Sequence, residues 1–228
     1  MALKKPQFLT KPYEGYLHRE VPADEEELTR VGPGTPAGEY LRRFWQPILL
    51  TRQLKDLPVK VTRFGEDLVV FRDKSGHIGL VEAHCPHRGT SLEYGKIEEI
   101  GIRCCYHSWL IDVDGKILET PGEPEHSTLK DRLYHGAYPA LDYRGIVFGY
   151  LGPPDQMPEF PVFDLWETPG YTLEPGIHLK PTDDGPIPNH KPCNWLQIVD
   201  NLLDPIHEEF LHSTISGFQF VDKNGTTV

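Results

Sequence analysis

The chain has 228 residues, 38% hydrophobic and 25% charged, with 22 prolines and 21 glycines, a composition that predicts a folded but loop-rich globular protein. A net charge of −11 without a lysine- or arginine-rich run argues against nucleic-acid binding, which uses basic patches. No apolar stretch approaches the roughly 20 residues that span a bilayer, and the N-terminus lacks the apolar run of a secretory signal, so we expect a cytoplasmic protein that does not bind membranes.

Residues 1–44 form a polar segment that is rich in proline and glycine. The acidic run Asp24–Glu27 is typical of a solvent-exposed helix face. Thr35 followed by Pro36 predicts the start of a short helix, because a hydroxyl caps the first turn and proline is favoured at the first helical position. We expect this helix to end near Arg43.

Residues 45–152 are predicted to form one β-rich domain. Short runs of β-branched and aromatic residues alternate with turn signals, a pattern that indicates a small antiparallel barrel or sandwich. Asp114-Gly115 between two such runs predicts a two-residue type I′ hairpin. The predicted strands are Val59–Arg63, Leu68–Arg72, Ile78–Val81, Leu110–Val113, Lys116–Leu118 and Ile146–Leu151.

Two cysteine–histidine pairs lie within this β-rich domain. Cys85-Pro-His87 is followed, after 16 intervening residues, by Cys104-Cys105-Tyr106-His107. We expect each pair to lie on a loop at the end of a strand, so that two loops can close on one metal site. Zinc fingers group their cysteines together and their histidines together. One cysteine and one histidine on each loop instead favour a 2Fe–2S cluster with two cysteines on one iron and two histidines on the other, and a structural zinc site remains the alternative.

The segments CPHRG and CCYHSW resemble the Rieske motif, C-x-H-R-G followed by C-x-Y-H-G-W, with Ser108 in place of the usual glycine. The resemblance implies that Cys85, His87, Cys104 and His107 bind the cluster. The C-x2-H spacing assigns the ligand role to Cys104 and not to its neighbour Cys105. The first loop has no second cysteine, which favours the oxygenase and ferredoxin branch over respiratory Rieske proteins. We expect His84 to be structural or solvent-facing.

Residues 153–228 begin with a proline-rich connector and continue, after Cys193, with a helical pattern. Pro205 interrupts this pattern and predicts a kink or a new helix. Cys193 is interpreted as a buried small residue and not as a ligand. The apolar residues at three- and four-residue steps are Trp195, Ile198, Val199, Leu202, Leu203 and Ile206.

A second constellation, D-x3-D-x2-H-x4-H, runs from Asp200 to His212. Two histidines and one carboxylate are the ligands that non-haem Fe(II) oxygenases use. Asp204 and His207 share one face of a helix. His207 and His212 are about 140° apart on a regular helix, so both can bind one metal only if the helix ends or bulges between them.

The order of the two motifs is similar to that in the catalytic α-subunit of Rieske non-haem iron oxygenases. The segments GPGTPAGEYLRRFWQPI and PGEPEHS…HGAYPALDYRGIVFGYLGP look most like the phthalate-dioxygenase branch. This resemblance implies a mononuclear Fe(II) on His207 and His212, with Asp204 linking an iron histidine to a Rieske histidine of the neighbouring subunit. Family members supply the third iron ligand, an aspartate, from a much later helix. We therefore expect a C-terminally incomplete chain.

The predicted fold class is α+β: an N-terminal segment over 1–44, a mostly β Rieske domain over 45–152, and the beginning of a helix-grip-like catalytic domain over 153–228. The resemblance implies an oxygenase that uses O2 and electrons from an NAD(P)H-dependent reductase, with or without a ferredoxin. It would hydroxylate or dealkylate a small aromatic or related substrate as a homotrimer or a multiple of trimers. Monooxygenation and dioxygenation both stay open. The alternative is a Rieske ferredoxin-like electron carrier, which has no use for the Asp204–His212 helix.

Overall fold

A computed structural model describes residues 23–172, 175 and 193–211. All six predicted strands are present, with modest shifts of their ends. Helices α1 to α5 span Glu26–Thr29, Pro36–Leu41, Leu129–Arg132, Trp195–Leu202 and Pro205–Glu209. Strands β1 to β11 span Gln46–Leu50, Val59–Arg63, Glu66–Arg72, Ile78–Glu82, Lys96–Ile97, Ile102–Arg103, Leu110–Ile111, Ile117–Glu119, Ala137–Tyr138, Ala140–Tyr143 and Ile146–Gly149.

The strands form three antiparallel sheets, in the orders β1-β11-β10, β2-β3-β4-β9 and β5-β6-β7-β8. Strand β3 lies between two hydrophobic cores: Val69 and Phe71 pack into one, Leu68 and Val70 into the other. Alternating side chains of a strand point to opposite faces, so the apolar run of β3 is buried on both. The mostly β architecture predicted for this part of the chain is confirmed.

The hairpin at residues 112–116 differs from the prediction. Gly115 has a φ of +84°, but Asp114 is not among the described non-glycine residues with positive φ, so the turn is not type I′. The Asp112 carbonyl accepts from Gly115 N at 3.2 Å, and its carboxylate accepts from the N–H groups of Asp114 and Lys116. The Asp112 side chain thus stabilises a longer turn that ends in a left-handed glycine.

Helix α2 is capped at its start and joined to the β-sheet just after its end. Thr35 caps it and Pro36 occupies its first position, as predicted. Arg42, directly after the helix, is buried and pairs with Glu66. The Tyr138 hydroxyl donates to the same carboxylate at 2.5 Å. Burial and this hydrogen bond raise the pKa of Tyr138 to about 12, so the hydroxyl remains a donor over the neutral range.

Pro205 begins a new helix, the second of the two predicted outcomes. Helix α4 ends at Leu202, and Asp204 caps α5: its Oδ1 accepts from the N–H groups of Ile206 at 2.9 Å and His207 at 3.4 Å. Within the described ranges, no helix has the length and hydropathy to cross a membrane. The helix-grip-like second domain stays a prediction, since the structure describes only parts of residues 153–228.

Candidate metal centres

The four predicted cluster ligands lie close together. The Cys104 thiol is within hydrogen-bonding reach of Cys85, and both cysteines are almost fully buried in the core beside β3. The imidazoles of His87 and His107 are half-buried, with ring centroids 4.4 Å apart. The chain thus presents a buried thiol pair and a more exposed imidazole pair.

The first Cys/His loop (residues 85–90) and the second Cys/His loop (residues 104–109) have the same backbone closure. In each, the cysteine carbonyl accepts from the N–H four positions later, and the cysteine N–H donates to the carbonyl five positions later. The distances are 2.9 and 2.9 Å for Cys85, with Gly89 and Thr90, and 3.1 and 2.8 Å for Cys104, with Ser108 and Trp109. Two loops of different sequence therefore hold their cysteines in equivalent positions.

Ser108 occupies a left-handed backbone position, with a φ of +61°, and Gly89 holds the equivalent position of the first loop at +69°. A residue with a Cβ is strained there by roughly 1–2 kcal/mol. The Rieske motif has glycine at the position of Ser108, and this strain accounts for that glycine. The Arg103 guanidinium donates to the Ser108 carbonyl at 2.8 Å and supports the strained turn.

The cysteine and histidine of the first loop have pKa shifts that act in opposite directions on metal binding. Burial and, to a smaller extent, the neighbouring Cys104 raise the pKa of the Cys85 thiol to about 11. A hydrogen bond from the His87 backbone N–H opposes this shift. A metal must therefore displace a proton from this thiol. Burial, with the nearby His107 and Arg88, lowers the pKa of His87 and favours the neutral, metal-binding imidazole. Its Nδ1 is buried without a hydrogen-bond partner among the described residues.

These residues fit a 2Fe–2S cluster. The two thiols can bind one iron, and the two imidazoles can bind the other. The buried Nδ1 of His87 makes no hydrogen bond among the described residues and can therefore act as a ligand atom. In the described part of the chain, no three His, Cys, Asp or Glu side chains are grouped so as to hold a single ion. A 2Fe–2S cluster requires only two protein ligands for each iron.

The neighbouring cysteines and histidine lie outside this group. Cys105 is exposed, although its neighbour Cys104 is buried. His84 is exposed as well, and its ring contacts the Glu82 carboxylate at 2.8 Å, in agreement with a structural or solvent-facing residue. Cys193 is exposed, so its interpretation as a buried residue was wrong. The proline-rich connector that precedes Cys193 is a loop signal and could have indicated exposure.

The second predicted site is described in part. Asp204 Oδ2 lies 3.5 Å from His207 Nδ1, as the three-residue spacing predicts. Glu208 and Glu209 are exposed, and the Glu208 carboxylate is 3.9 Å from His207 Nε2. His212 lies outside the described residues. The structure therefore brings Asp204 and His207 together and gives no position for the other predicted iron ligand.

The helix widens after His207. Its backbone is π-helical at Phe210 and Leu211. In a π-turn, hydrogen bonds join residues five apart, and such turns are frequent at functional sites. A widening at this point is the irregularity that the five-residue spacing between His207 and His212 requires.

Two side chains at the start of α4 attach it to α1. The Asn194 amide donates to the Thr29 carbonyl at 2.6 Å, and the Trp195 indole donates to the Leu28 carbonyl at 2.9 Å. These carbonyls belong to the last turn of α1, where no helical partner remains for them. This contact was not predicted, because the acidic run of α1 is typical of a solvated face.

Comparison with known proteins gives the family. A family profile described as the Rieske [2Fe-2S] domain matches residues 44–133. The chain is 46% identical over 221 residues to the tert-butanol monooxygenase / tert-amyl alcohol desaturase oxygenase subunit of Aquincola tertiaricarbonis, covering 95% of this chain and 45% of that protein. It is 44% identical over 219 residues to the phenoxybenzoate dioxygenase subunit alpha of Ectopseudomonas oleovorans, covering 92% and 52%. It is 37% identical to the phthalate 4,5-dioxygenase oxygenase subunit of Pseudomonas putida, covering 89% and 46%.

Among solved structures, dicamba monooxygenase bound to dicamba superposes with a TM-score of 0.61 at 23% identity, over 75% of this chain and 48% of that one, which shows the shared fold. The chain spans about half the length of the curated relatives that it matches. With a Rieske domain and oxygenase subunits as relatives along nearly all its residues, the chain belongs to the Rieske non-haem iron oxygenases.

Proposed function

We propose that this chain is the cluster-bearing part of an oxygenase and not an independent electron carrier. One observation carries the proposal: the Asp204–His207 pair lies on a helical segment separate from the two Cys/His loops. A carrier needs only the loops. A carboxylate 3.5 Å from an imidazole nitrogen is the arrangement that orients a histidine ligand toward a metal.

In this proposal Cys85 and Cys104 bind one iron of the cluster, and His87 and His107 bind the other. When bound, the cluster supplies one-electron transfer and the mononuclear iron supplies O2 activation. The protein fixes the thiols in a dry core and leaves the imidazole edge accessible from outside. We assign the domain that holds the cluster to residues 45–152. In support, strand β1 begins at Gln46, and Leu151 is the last buried apolar residue among those that the structure describes.

We assign His207 and His212 as ligands of the mononuclear iron, with one carboxylate as the third ligand. Asp204 then has two tasks. It caps α5, and its Oδ2, 3.5 Å from His207 Nδ1, orients the His207 ring as a metal ligand. Its second contact is His107 of a neighbouring subunit, in a head-to-tail ring that closes as a trimer. Residues 153–228 would begin the domain that carries this iron.

The proposed substrate is a small aromatic compound that is hydroxylated or dealkylated with O2, and the electrons come from an NAD(P)H-dependent reductase, directly or through a ferredoxin. Two of the relatives described above are named for aromatic acids, and one for tert-butanol. A cytoplasmic location suits a protein that depends on NAD(P)H.

Anaerobic iron and acid-labile sulfide analysis tests the proposal on the protein in the full length that its gene encodes. About three irons and two sulfides per chain are expected for a cluster with a mononuclear iron. About two irons and two sulfides, with no further uptake of Fe(II), would leave only the electron carrier. Zinc without sulfide would overturn both functions. Product formation from an aromatic acid, with tert-butanol as the competing class, then tests the substrate.

A further inference from the structure

The ring of His87 lies flat against an indole that belongs to the other loop. Trp109 is in the second Cys/His loop, and its ring is 4.7 Å from that of His87, centroid to centroid, with only 3° between the two planes. His107 meets the His87 ring edge-on, at 4.4 Å and 70°. The face of the first-loop histidine is therefore in contact with a side chain supplied by the second loop.

Stacking is the contact that sets the plane of the His87 ring. A metal-binding histidine is normally oriented by a hydrogen bond from its second nitrogen. Among the described residues, neither nitrogen of His87 takes part in such a bond, and its Nδ1 is buried. Rotation of the imidazole about its χ2 angle is thus restrained by the parallel indole.

Trp109 is itself held firmly. Its side chain is only 2% exposed and belongs to the same core as Cys85 and Cys104. Its carbonyl accepts from the Cys104 N–H at 2.8 Å and closes the second loop. The indole is consequently fixed from two directions, by the core around its ring and by the loop closure of its backbone.

We propose that Trp109 is a positioning residue that orients the His87 imidazole from the opposite loop, so that the environment of the histidine-bound iron depends on this indole. The inference rests on the proposed function, because it takes His87 as a cluster ligand. Trp109 couples the two loops: a displacement of the second loop moves the ring that orients the ligand of the first. Trp109 orients His87 by stacking, whereas other metal-binding histidines are oriented by a hydrogen bond.

The test compares W109F, W109M and W109L in the full-length protein with its cluster. Phenylalanine keeps a ring that can stack, methionine keeps volume without a ring, and leucine keeps neither the ring nor the full volume. The readouts are the EPR g values of the reduced cluster, its midpoint potential, and the rate at which its visible absorption is lost. W45L is the control, since Trp45 is a half-buried indole that packs on Tyr150 and Phe160, outside both loops.

We expect W109M and W109L to shift the g values and the potential and to lose the cluster about two- to tenfold faster, the factor that corresponds to one aromatic pair. W109F should stay close to wild type, and W45L should match it. The inference is overturned if W109M keeps wild-type spectra and stability, or if W109F shifts as far as W109M does. If W109L does not fold, the W109F and W109M pair decides. A wild-type protein without iron and sulfide would instead overturn the proposed function itself.

Discussion

The two Cys/His loops and the α4–α5 segment carry the two sets of predicted metal ligands, and they are supported in different ways. The loops are closed by backbone hydrogen bonds, and their cysteines are part of a continuous buried core. None of the described side chains of α4 and α5 is buried, and apolar residues such as Leu202, Leu203 and Ile206 are more than 60% exposed. The Asn194 and Trp195 side chains hydrogen-bond this segment to α1.

The two Cys/His loops hold their cysteines in place before a metal binds, whereas the site on α4–α5 depends on additional packing. Local backbone closure and a dry core fix the thiols before any metal binds. The Asp204–His207 pair lies at the start of α5, where Asp204 caps the helix and its carboxylate is 3.5 Å from the imidazole. We therefore expect changes in the loops to act on cluster assembly in an all-or-none way, and changes in α4–α5 to act in a graded way on activity and local stability.

The largest effect is expected from C104S in the full-length protein. Cys104 is buried against Cys85, and serine offers no thiolate to iron, so the variant should lose cluster iron and labile sulfide altogether. C105S is the matched control, since Cys105 is the adjacent residue and is exposed. Iron and sulfide content after anaerobic purification is the measurement. Full cluster content in C104S, or its loss in C105S, would contradict the ligand assignment.

The next largest effect is expected from D204N, which separates the two tasks of Asp204. Asparagine caps helices as well as aspartate does, so α5 should persist, while the negative charge beside His207 is removed. We expect turnover to fall by about 10- to 100-fold, as for other residues that orient metal ligands.

D204S, which also keeps a capping oxygen, is the control for charge, and D204A removes both functions. Helix content by circular dichroism and single-turnover product yield are to be measured together. An active D204N with an inactive D204A would show that capping is the essential task.

A smaller effect is expected from W195F, which keeps an aromatic ring but removes the indole donor to Leu28. Loss of one such hydrogen bond costs about 1 kcal/mol, equivalent to about fivefold faster amide exchange in α4. Hydrogen–deuterium exchange over residues 194–203 is the measurement. W45F removes an indole bond to the Pro158 carbonyl elsewhere and should leave α4 unchanged. Identical exchange of α4 in both variants would show that α1 does not support this helix.

The smallest effect is expected from S108G, and it is stabilising. Glycine relieves the strain of the left-handed position, but it also increases the conformational entropy of the unfolded chain. The net increase in the free energy of unfolding is up to about 1 kcal/mol. G89A makes the opposite change in the equivalent position of the first loop. A Cβ there meets no atom within 4 Å, so its cost is conformational. Chemical unfolding of both variants should give shifts of opposite sign, and shifts of the same sign would contradict this account.

The sequence predicted the parts of the molecule that depend on local pattern. Strand β3, the cap at Thr35 and the interruption at Pro205 were predicted because runs of β-branched residues, capping hydroxyls and proline act over a few residues. The Asp114-Gly115 turn was misassigned, because the Asp112 side chain competes for the same backbone N–H groups.

The missed contacts join residues that are far apart along the chain. Tyr138 and Glu66 are 72 positions apart, and Trp195 and Leu28 are 167 apart. Spacing rules cannot foresee such pairs, because tertiary folding creates them. For the candidate site, the motif predicted which residues gather in the two loops, but the indole of Trp109 against His87 became visible only from the geometry.

Strand β3 also has a consequence for how this part of the molecule opens. One of its faces belongs to the core beside the Cys/His loops, and the other to the core beneath β1 and β11. Neither core can be exposed to solvent without moving the same strand, so both belong to one cooperative unit. The amide protons of Leu68 to Phe71 should exchange only through global opening, and they provide an internal reference for the stability of the domain.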